Sequence, residues 1–294
     1  MSNYNIIGFG EVLWDMFPEG RQLGGAPANF VYHAHAMGAK GYLVSRVGED
    51  VLGHEIFERL KDLGVDAENV SVDSEHPTGT VKVNVDEAGK PSYDITEDVA
   101  WDYIPFSAEL AQLAKRADAV CFGTLCSRNE VSRTALLQFL DAATETTLRV
   151  FDINLRQQYY DSGLIASLLE RADVFKLSDD ELPVVANIFD MPDEADAAAE
   201  ALARNFQLQV VALTRGGKGS TLYSRGTTSE RPAVPGAVVD TVGAGDSFTA
   251  GLTVGLLRNW PLDEVNLFAS KVATFVCGQA GATPALPEDF RVAK

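Results

Sequence analysis

Short runs of apolar and β-branched residues alternate with amphipathic helical stretches along almost the whole chain, and no other feature constrains its fold as strongly. Strand-type runs occupy residues 5–9, 42–47, 118–122, 149–153, 173–177 and 210–213. Helical periodicity falls between them, at 26–37, 52–63, 108–115, 131–142, 164–169 and 196–205. Strands that are apolar throughout, rather than on alternate positions, have both faces covered, and intervening helices supply the crossovers of a parallel sheet. The pattern predicts an α/β fold with a doubly wound, mostly parallel sheet flanked by helices. No repeat, low-complexity tract or Pro/Gly-rich linker divides the 294 residues, so one domain over 1–294 is expected.

One segment breaks the alternation. In Thr80–Val85, TVKVNV, the residues Val81, Val83 and Val85 share one face while Lys82 and Asn84 share the other, as in a half-exposed strand. The polar turn DEAGKPS follows, and a second short run at 93–95 completes an antiparallel hairpin. Small antiparallel lid strands are thus expected at about 12–18 and 80–98. Such a hairpin is a decoration, a cover for a ligand crevice or a dimerisation edge. Cover and edge are favoured, giving an expected homodimer through the lid.

Lys and Arg number 24 against 42 Asp and Glu, a formal net charge of −18. Nucleic-acid binding needs clustered cations that displace counterions, and an acidic surface is repelled by anionic membranes, so neither partner is expected. A local phosphate site is compatible with that charge. Cys121, Cys126 and Cys277 are too few and too scattered for a disulfide framework and read as reduced, buried thiols. His33, His35, His54 and His76 make no metal-type pair with them. The opening MSNYNIIGFGEV lacks the basic and long apolar regions of a signal peptide. The uncharged stretch at 247–257 is far shorter than the roughly 20 residues of a spanning helix. A cytoplasmic location is the resulting expectation.

The most informative stretch is 240–255, DTVGAGDSFTAGLTVG. Gly243, Ala244 and Gly245 let the backbone approach a ligand closely, and they lead into an apolar helix at 247–257. Successive N–H groups at a helix N-terminus bind an anion without any basic side chain. Asp246 at that terminus is stabilised as the anion and can accept a proton at neutral pH. An anion hole beside a proton acceptor is what phosphoryl transfer to a hydroxyl requires. A plain capped helix, with Asp246 as N-cap and the glycines as the turn, accounts for the spacing equally well. The stretch has neither the Lys-Ser/Thr of a P-loop nor GxGxxG, which weakens those readings.

Three further clusters follow predicted strands. Asp152-Ile153-Asn154-Leu155-Arg156 leaves a central strand at its carboxyl end, where open α/β sheets bind ligands, although a structural salt bridge explains it too. Lys176-Leu177-Ser178-Asp179-Asp180-Glu181 fits a capping box, with Ser178 as N-cap, Glu181 at the third helical position and Leu177 and Leu182 as the staple. Thr214-Arg215-Gly216-Gly217-Lys218-Gly219 is a glycine-rich turn before a second β run, STLYS.

DTVGAGD followed by SFTAG resembles the C-terminal signature of the PfkB carbohydrate kinases, the ribokinase-like family. Gly24-Gly25-Ala26-Pro27-Ala28-Asn29, with Gly38 and Gly48 beyond, resembles its N-terminal motif. The motifs lie more than 200 residues apart in the right order, and the resemblance runs from Gly8 to Pro287. Val31 stands where the family usually has a small residue and reads as a packing variation. The family's D-x-N-x-R pattern agrees with 152–156. Its Asn-x-x-Glu is matched by Glu181, with Ser178 in place of the Asn, which puts the nucleotide contacts there in question.

The resemblance implies a ribokinase-like fold and a role for each motif. Asp246 would be the catalytic base, with the backbone of Gly243, Ala244 and Gly245 around the anion hole. Asp15, in GEVLWD at the end of the first strand, would bind sugar hydroxyls with Gly25 and Asn29, and Arg156 would lie toward the phosphates or sugar. Ser178, Thr214, Gly216, Gly219, Gly245 and Ser270 would line the nucleotide, with 270–272 flanking the adenine. Glu181 would organise Mg²⁺ and its waters. A monovalent cation, K⁺, would use Asp240, the Val242 carbonyl, and carbonyls around Val276, Gln279, Gly281 and Ala285.

By the same resemblance the chain would be an ATP-dependent sugar kinase acting on a primary hydroxyl. GEVLWDMFP and YDITEDVAWDYI look most like fructokinase-type members, so D-fructose giving fructose 6-phosphate is the expected reaction. Ribose, 2-keto-3-deoxygluconate and nucleosides are alternative substrates. The candidate lid at 80–95 has no arginine for a keto-acid carboxylate, which disfavours that option. A non-catalytic sugar or nucleotide sensor is the alternative of a different class, and the intact Asp246 with its glycines speaks against it.

Overall fold

The computed structural model describes residues 4–18, 20–85 and 91–292. The chain opens with β1 (Asn5–Phe9) and a hairpin of β2 (Leu13–Phe17) and β3 (Gly20–Gly24). Helix α1 (Ala26–Ala36) leads to β4 (Lys40–Gly48), α2 (Val51–Asp62) and β5 (Val70–Asp73). A second hairpin, β6 (Thr80–Val85) and β7 (Pro91–Ile95), precedes α3 (Ala108–Ala114), β8 (Ala119–Phe122) and α4 (Glu130–Ala142). Then come β9 (Leu148–Asp152), α5 (Ser162–Leu169), β10 (Val174–Ser178), α6 (Leu182–Ile188), α7 (Ala195–Asn205) and β11 (Val210–Thr214). The described chain closes with β12 (Ser220–Ser224), β13 (Thr227–Arg231), α8 (Ala244–Leu257) and α9 (Leu262–Cys277).

Among the described residues, nine strands form one sheet in the order β13-β12-β11-β10-β9-β8-β1-β4-β5. Pairings from β11 to β5 are parallel, and β12 and β13 add an antiparallel edge. Successive strand residues face opposite layers. Ile6, Val150 and Val174 pack with α1, α2, α8 and α9, while Ile7, Phe151 and Phe175 pack with α3, α4, α5 and α7. Phe122, Phe151 and Phe175 stand in register on three neighbouring strands, with ring centroids 5.5 and 5.3 Å apart. Burial on both faces is why these strands read as unbroken apolar runs.

Chain order reverses at β1, since β4 and β5 extend the sheet one way and β8 onward the other. The carboxyl ends of β1 and β8 therefore diverge into a crevice, the place where open sheets bind ligands. Over it lies a second sheet, ordered β3-β2-β6-β7. The β6–β7 hairpin is antiparallel as expected, β2 and β3 form a second one, and the two join through a parallel pairing of β2 with β6. The expected turn residues 86–90 lie outside the described residues. Strand β3 escapes the sequence reading because GRQLG has no alternation, with its first three residues exposed.

Two details explain local sequence. Val31 is fully buried, and a Cβ on Gly8 or Gly41 would come within 2.6 or 2.7 Å of its methyl groups. The branched side chain fills space left by two glycines, which accounts for the departure at that position. Cys121 and Cys126 are buried, Cys277 is partly buried, and all three are free. Among the described residues no helix is long and apolar enough to cross a membrane.

Candidate active site

Gly243 starts the site. It caps α8 at φ 76°, and a Cβ there would lie 2.7 Å from the Ala282 carbonyl oxygen, so glycine alone lets the two segments pass. The helix begins at Ala244, three residues before the expected 247, because the Gly243 turn already sets the first helical residues. The amides of Gly245 and Asp246 fall in the first turn, where a helix offers them no internal acceptor. The Ala244 amide donates back to the Thr241 carbonyl at 3.3 Å. Asp246 sits inside this first turn and is not the N-cap that the plain capped-helix reading required. Asn29 Nδ2, from α1, donates to Asp246 Oδ2 at 2.8 Å.

Asp246 faces a cavity of about 370 Å³ lined also by Glu11, Asp15, Gly25, Asn29, Asn154, Arg156, Lys176 and Gly245, with Val81 and Ile95 of the lid above. Asp15 is not at the end of the first strand. β1 stops at Phe9, Gly10 turns the chain at φ 147°, and Asp15 lies within β2 of the lid opposite Gln22 and Val81. The paired glycines serve this geometry. A Cβ on Gly24 would strike the Asp15 carboxylate, and Gly25, at φ 110°, passes close against the Glu11 carbonyl. Asn29 is 4 % exposed, and its Oδ1 has no hydrogen-bond partner among the described residues. A buried acceptor left open beside a carboxylate suits a polyol, one hydroxyl donating to Asn29 Oδ1 while a second gives its proton to Asp246.

The carboxylates here are hard to ionise. Burial pushes Glu11 up to about 7, with the neighbouring Asp246 charge adding to it and Arg156 opposing. Burial likewise raises Asp15 to about 6, against Arg156. Asp246 rises to about 6 through burial and the Asp152 charge, while the Asn29 hydrogen bond, Lys176 and Arg156 hold it down. Perturbed groups gathered in one cleft mark a functional site.

Beneath the floor, Asp152 accepts from Lys176 Nζ at 3.0 Å and from Thr249 Oγ1 at 2.7 Å. The D-x-N-x-R cluster thus divides its work. Asp152 makes the structural ion pair, whereas Asn154, at the left-handed φ of 42°, and Arg156 face the cavity. Asn154 belongs to the candidate cluster read at 152–156, whereas Glu11, Lys176 and Thr249 escaped the sequence reading as site residues. The one signal for Lys176 was a lone cation inside the apolar run VFKLS.

A second cleft, of about 280 Å³, adjoins the first through Thr241 and Gly245. Thr214, Gly216, Gly219 and Ser270, which the resemblance sets along the nucleotide, line it together with Ala244, Phe248, Ala273, Thr274 and Cys277. Val272, expected beside Ser270, is instead fully buried in the core, because the helical period turns it inward. Ser178 and Glu181 line neither cavity. Their reciprocal bonds form, from Ser178 N to Glu181 Oε2 at 2.8 Å and from Glu181 N to Ser178 Oγ at 3.3 Å. The helix they were expected to cap starts later, at Leu182. Glu181 Oε1 also accepts from Leu155 N at 2.8 Å, so this carboxylate ties the 155 loop to β10.

Asp240 draws two loops together, accepting from Val242 N and from Gly281 N, both at 3.0 Å. Gln279 N occupies the Val276 carbonyl at 3.0 Å, and Ala285 follows Pro284, whose carbonyl accepts from Tyr32 Oη at 3.0 Å. His33, one turn beyond Asn29, pairs its Nε2 with the Ala282 carbonyl at 2.8 Å. Burial lowers this imidazole to about 4, so it stays neutral near pH 7 and donates from Nε2.

The chain matches the pfkB family of carbohydrate kinases over residues 7–289. It is 30% identical to a fructokinase of Salmonella typhimurium, with 97% of each protein covered. Its fold is similar to an uncharacterized sugar kinase of Pyrococcus horikoshii solved with ATP, at 27% identity and a TM-score of 0.79, covering 95% of this chain and 94% of the other. It also superposes on an ATP-bound fructokinase of Xylella fastidiosa with a TM-score of 0.85, covering 96% and 95%, at 23% identity.

Proposed function

The chain belongs to the PfkB family of carbohydrate kinases, and from that premise we propose that it transfers the γ-phosphoryl group of ATP to the primary hydroxyl of D-fructose, giving fructose 6-phosphate. The observation that carries this reading is the Asn29–Asp246 pair, with its unsatisfied Asn29 Oδ1, opening onto the glycine-rich start of α8. The sugar hydroxyl gives its proton to Asp246, and the amides of the first helical turn receive the growing charge on the phosphoryl group. Asp15, Asn29 and Arg156 hold the remaining hydroxyls. The second cleft, lined by Thr214, Gly216 and Ser270, takes the nucleotide.

Among the described residues no group of three or more His, Cys, Asp or Glu could hold a metal. Mg²⁺ would be held mainly by phosphate oxygens and water, with the Glu181 carboxylate, itself fixed by the Leu155 and Ser178 amides, beyond the waters. When bound, Mg²⁺ would neutralise the triphosphate and hold it in line. One carboxylate, Asp240, among carbonyls of the 242 and 279–285 segments fits the hard donors of K⁺. In this reading residues 1–294 act as one kinase domain. The free strand edges β3 and β7 make the lid the pairing surface of a homodimer, and the three free thiols suit the cytoplasm.

The test is a coupled ADP-release assay with fructose, ribose, 2-keto-3-deoxygluconate and nucleosides, beside calorimetric titration of each. Turnover greatest on fructose supports the proposal, and preference for another member moves the substrate without moving the chemistry. Tight binding of a sugar with no ADP released from any of them would make the protein a sensor.

A further inference from the structure

Lys176 is a cation where a sheet interior ordinarily has an apolar side chain. It is 7 % exposed, with the buried core residues Phe175 and Leu177 on either side of it in β10. Two residues on from Val174, it shares that residue's face of the sheet, the side on which α8 packs. There it meets its register partner Asp152 on β9. Stability alone does not call for such a pair, since a buried ion pair replaced by apolar residues of similar size is often neutral or better. One of the three ammonium donors goes to Asp152. Lys176 also lines the sugar cavity, and its Nζ stands 3.1 Å from where a Cβ on Gly245 would lie. Gly245 borders both the sugar cavity and the nucleotide cleft, so the ammonium stands at their junction.

We infer that Lys176 is a catalytic residue whose ammonium donates to the transferring phosphoryl group from the sheet side, while the first-turn amides of α8 donate from the helix side. The inference rests on the kinase reading above. In the step, the sugar oxygen bonds to the γ-phosphorus as the bond from that phosphorus to the β,γ-bridging oxygen breaks. The electron pair of the broken bond leaves with ADP, and the hydroxyl proton passes to Asp246. Lys176 keeps its proton throughout and donates to non-bridging oxygens. Asp152 fixes the ammonium, and Thr249 fixes Asp152.

The test removes both members of the pair, Lys176→Met with Asp152→Asn, so that neither charge is buried alone. The two charges act on Asp246 in opposite directions, and both leave together. The double variant should bind fructose and ADP with unchanged affinity while kcat falls about 10²–10³-fold, as when one transition-state donor is lost. A wild-type kcat, or ADP affinity falling in step with kcat, overturns the inference. A second measurement needs no variant. With ¹⁵N-lysine in the unaltered protein, the Lys176 ammonium signal should shift on adding ADP, fructose and aluminium fluoride, and not on adding ADP alone. A signal indifferent to that phosphoryl mimic overturns the inference as well. An unaltered protein that releases no ADP from any sugar would instead refute the kinase reading.

Discussion

Asn29 Nδ2 holds Asp246 Oδ2 at 2.8 Å across 217 positions of sequence, tying the first helix of the chain to the start of the eighth. The bond stabilises the ionised carboxylate, and it fixes which oxygen is left to take a proton.

Asp246→Asn should therefore keep the fold and both ligand affinities while turnover falls roughly 10²–10⁴-fold, the usual contribution of a general base. Near-normal turnover in that variant would remove Asp246 from the mechanism.

The pH dependence follows from the same carboxylate. Because Asp246 must be ionised, kcat/KM should rise with pH, reach half its plateau at about 6 and level above that. Asn29→Ala removes a bond made to the charged form, so its acid limb should move to higher pH. Limbs that coincide in the two profiles would show that another group controls the rate.

Asp15→Ala tests the division of the two cavities. Two lost hydrogen bonds at about 1–2 kcal/mol each should weaken sugar binding roughly 30- to 1000-fold, with ATP affinity unchanged. Calorimetry of each ligand decides, and equal weakening would mean that Asp15 holds the lid together.

Glu11 should make the ligand-free protein less stable as pH rises. Its carboxyl is raised from 4.5 to about 7 in the fold, so between those values the folded state holds a proton that the unfolded chain has lost. Stability therefore falls through that window and stays low above it. Glu11→Gln should recover on the order of 2–3 kcal/mol at pH 8 and almost nothing at pH 4. Equal gains at both pH values in thermal unfolding would contradict this.

Gly243→Ala should cost stability by both of its constraints, a left-handed φ of 76° and a Cβ pressed on Ala282. Roughly 1–3 kcal/mol is the scale of such strain, readable as a lowered urea midpoint.

How much of this was legible in the residue order depended on burial. The parallel strands showed themselves because both their faces are apolar, as Val150 and Phe151 illustrate on opposite sides of β9. β3 could not be read, since its strand character comes from pairing with β2 and not from its own residues. The glycine-rich motifs pointed to Asp246 and Asn29, the family resemblance pointed to Ser270, and these residues line the clefts. Asp15 was set at the end of the first strand, although the strand bounds 5–9 and 12–18 read from the same residues already put it in the lid strand where it lies. Glu11 and Lys176 went unread as site residues for a different reason. Glu11 lies in no apolar run that would show its burial, and the lone cation in VFKLS hints at the burial of Lys176 without showing what it faces, so their meaning lies in the folded neighbourhood.

Helix α1 is buried along Pro27–Ala34, and it packs against α8. On the ribosome, then, the helix emerges more than 200 residues before α8, with only its Val31 side covered early by β1 and β4. A nascent chain of this protein carries the α8-facing side of that helix uncovered through most of its synthesis, and one stopped before residue 244 can never bury it. Such a chain should call on chaperones while it is being made, and its truncated fragments should be cleared or aggregate rather than persist as a half-kinase that binds sugar.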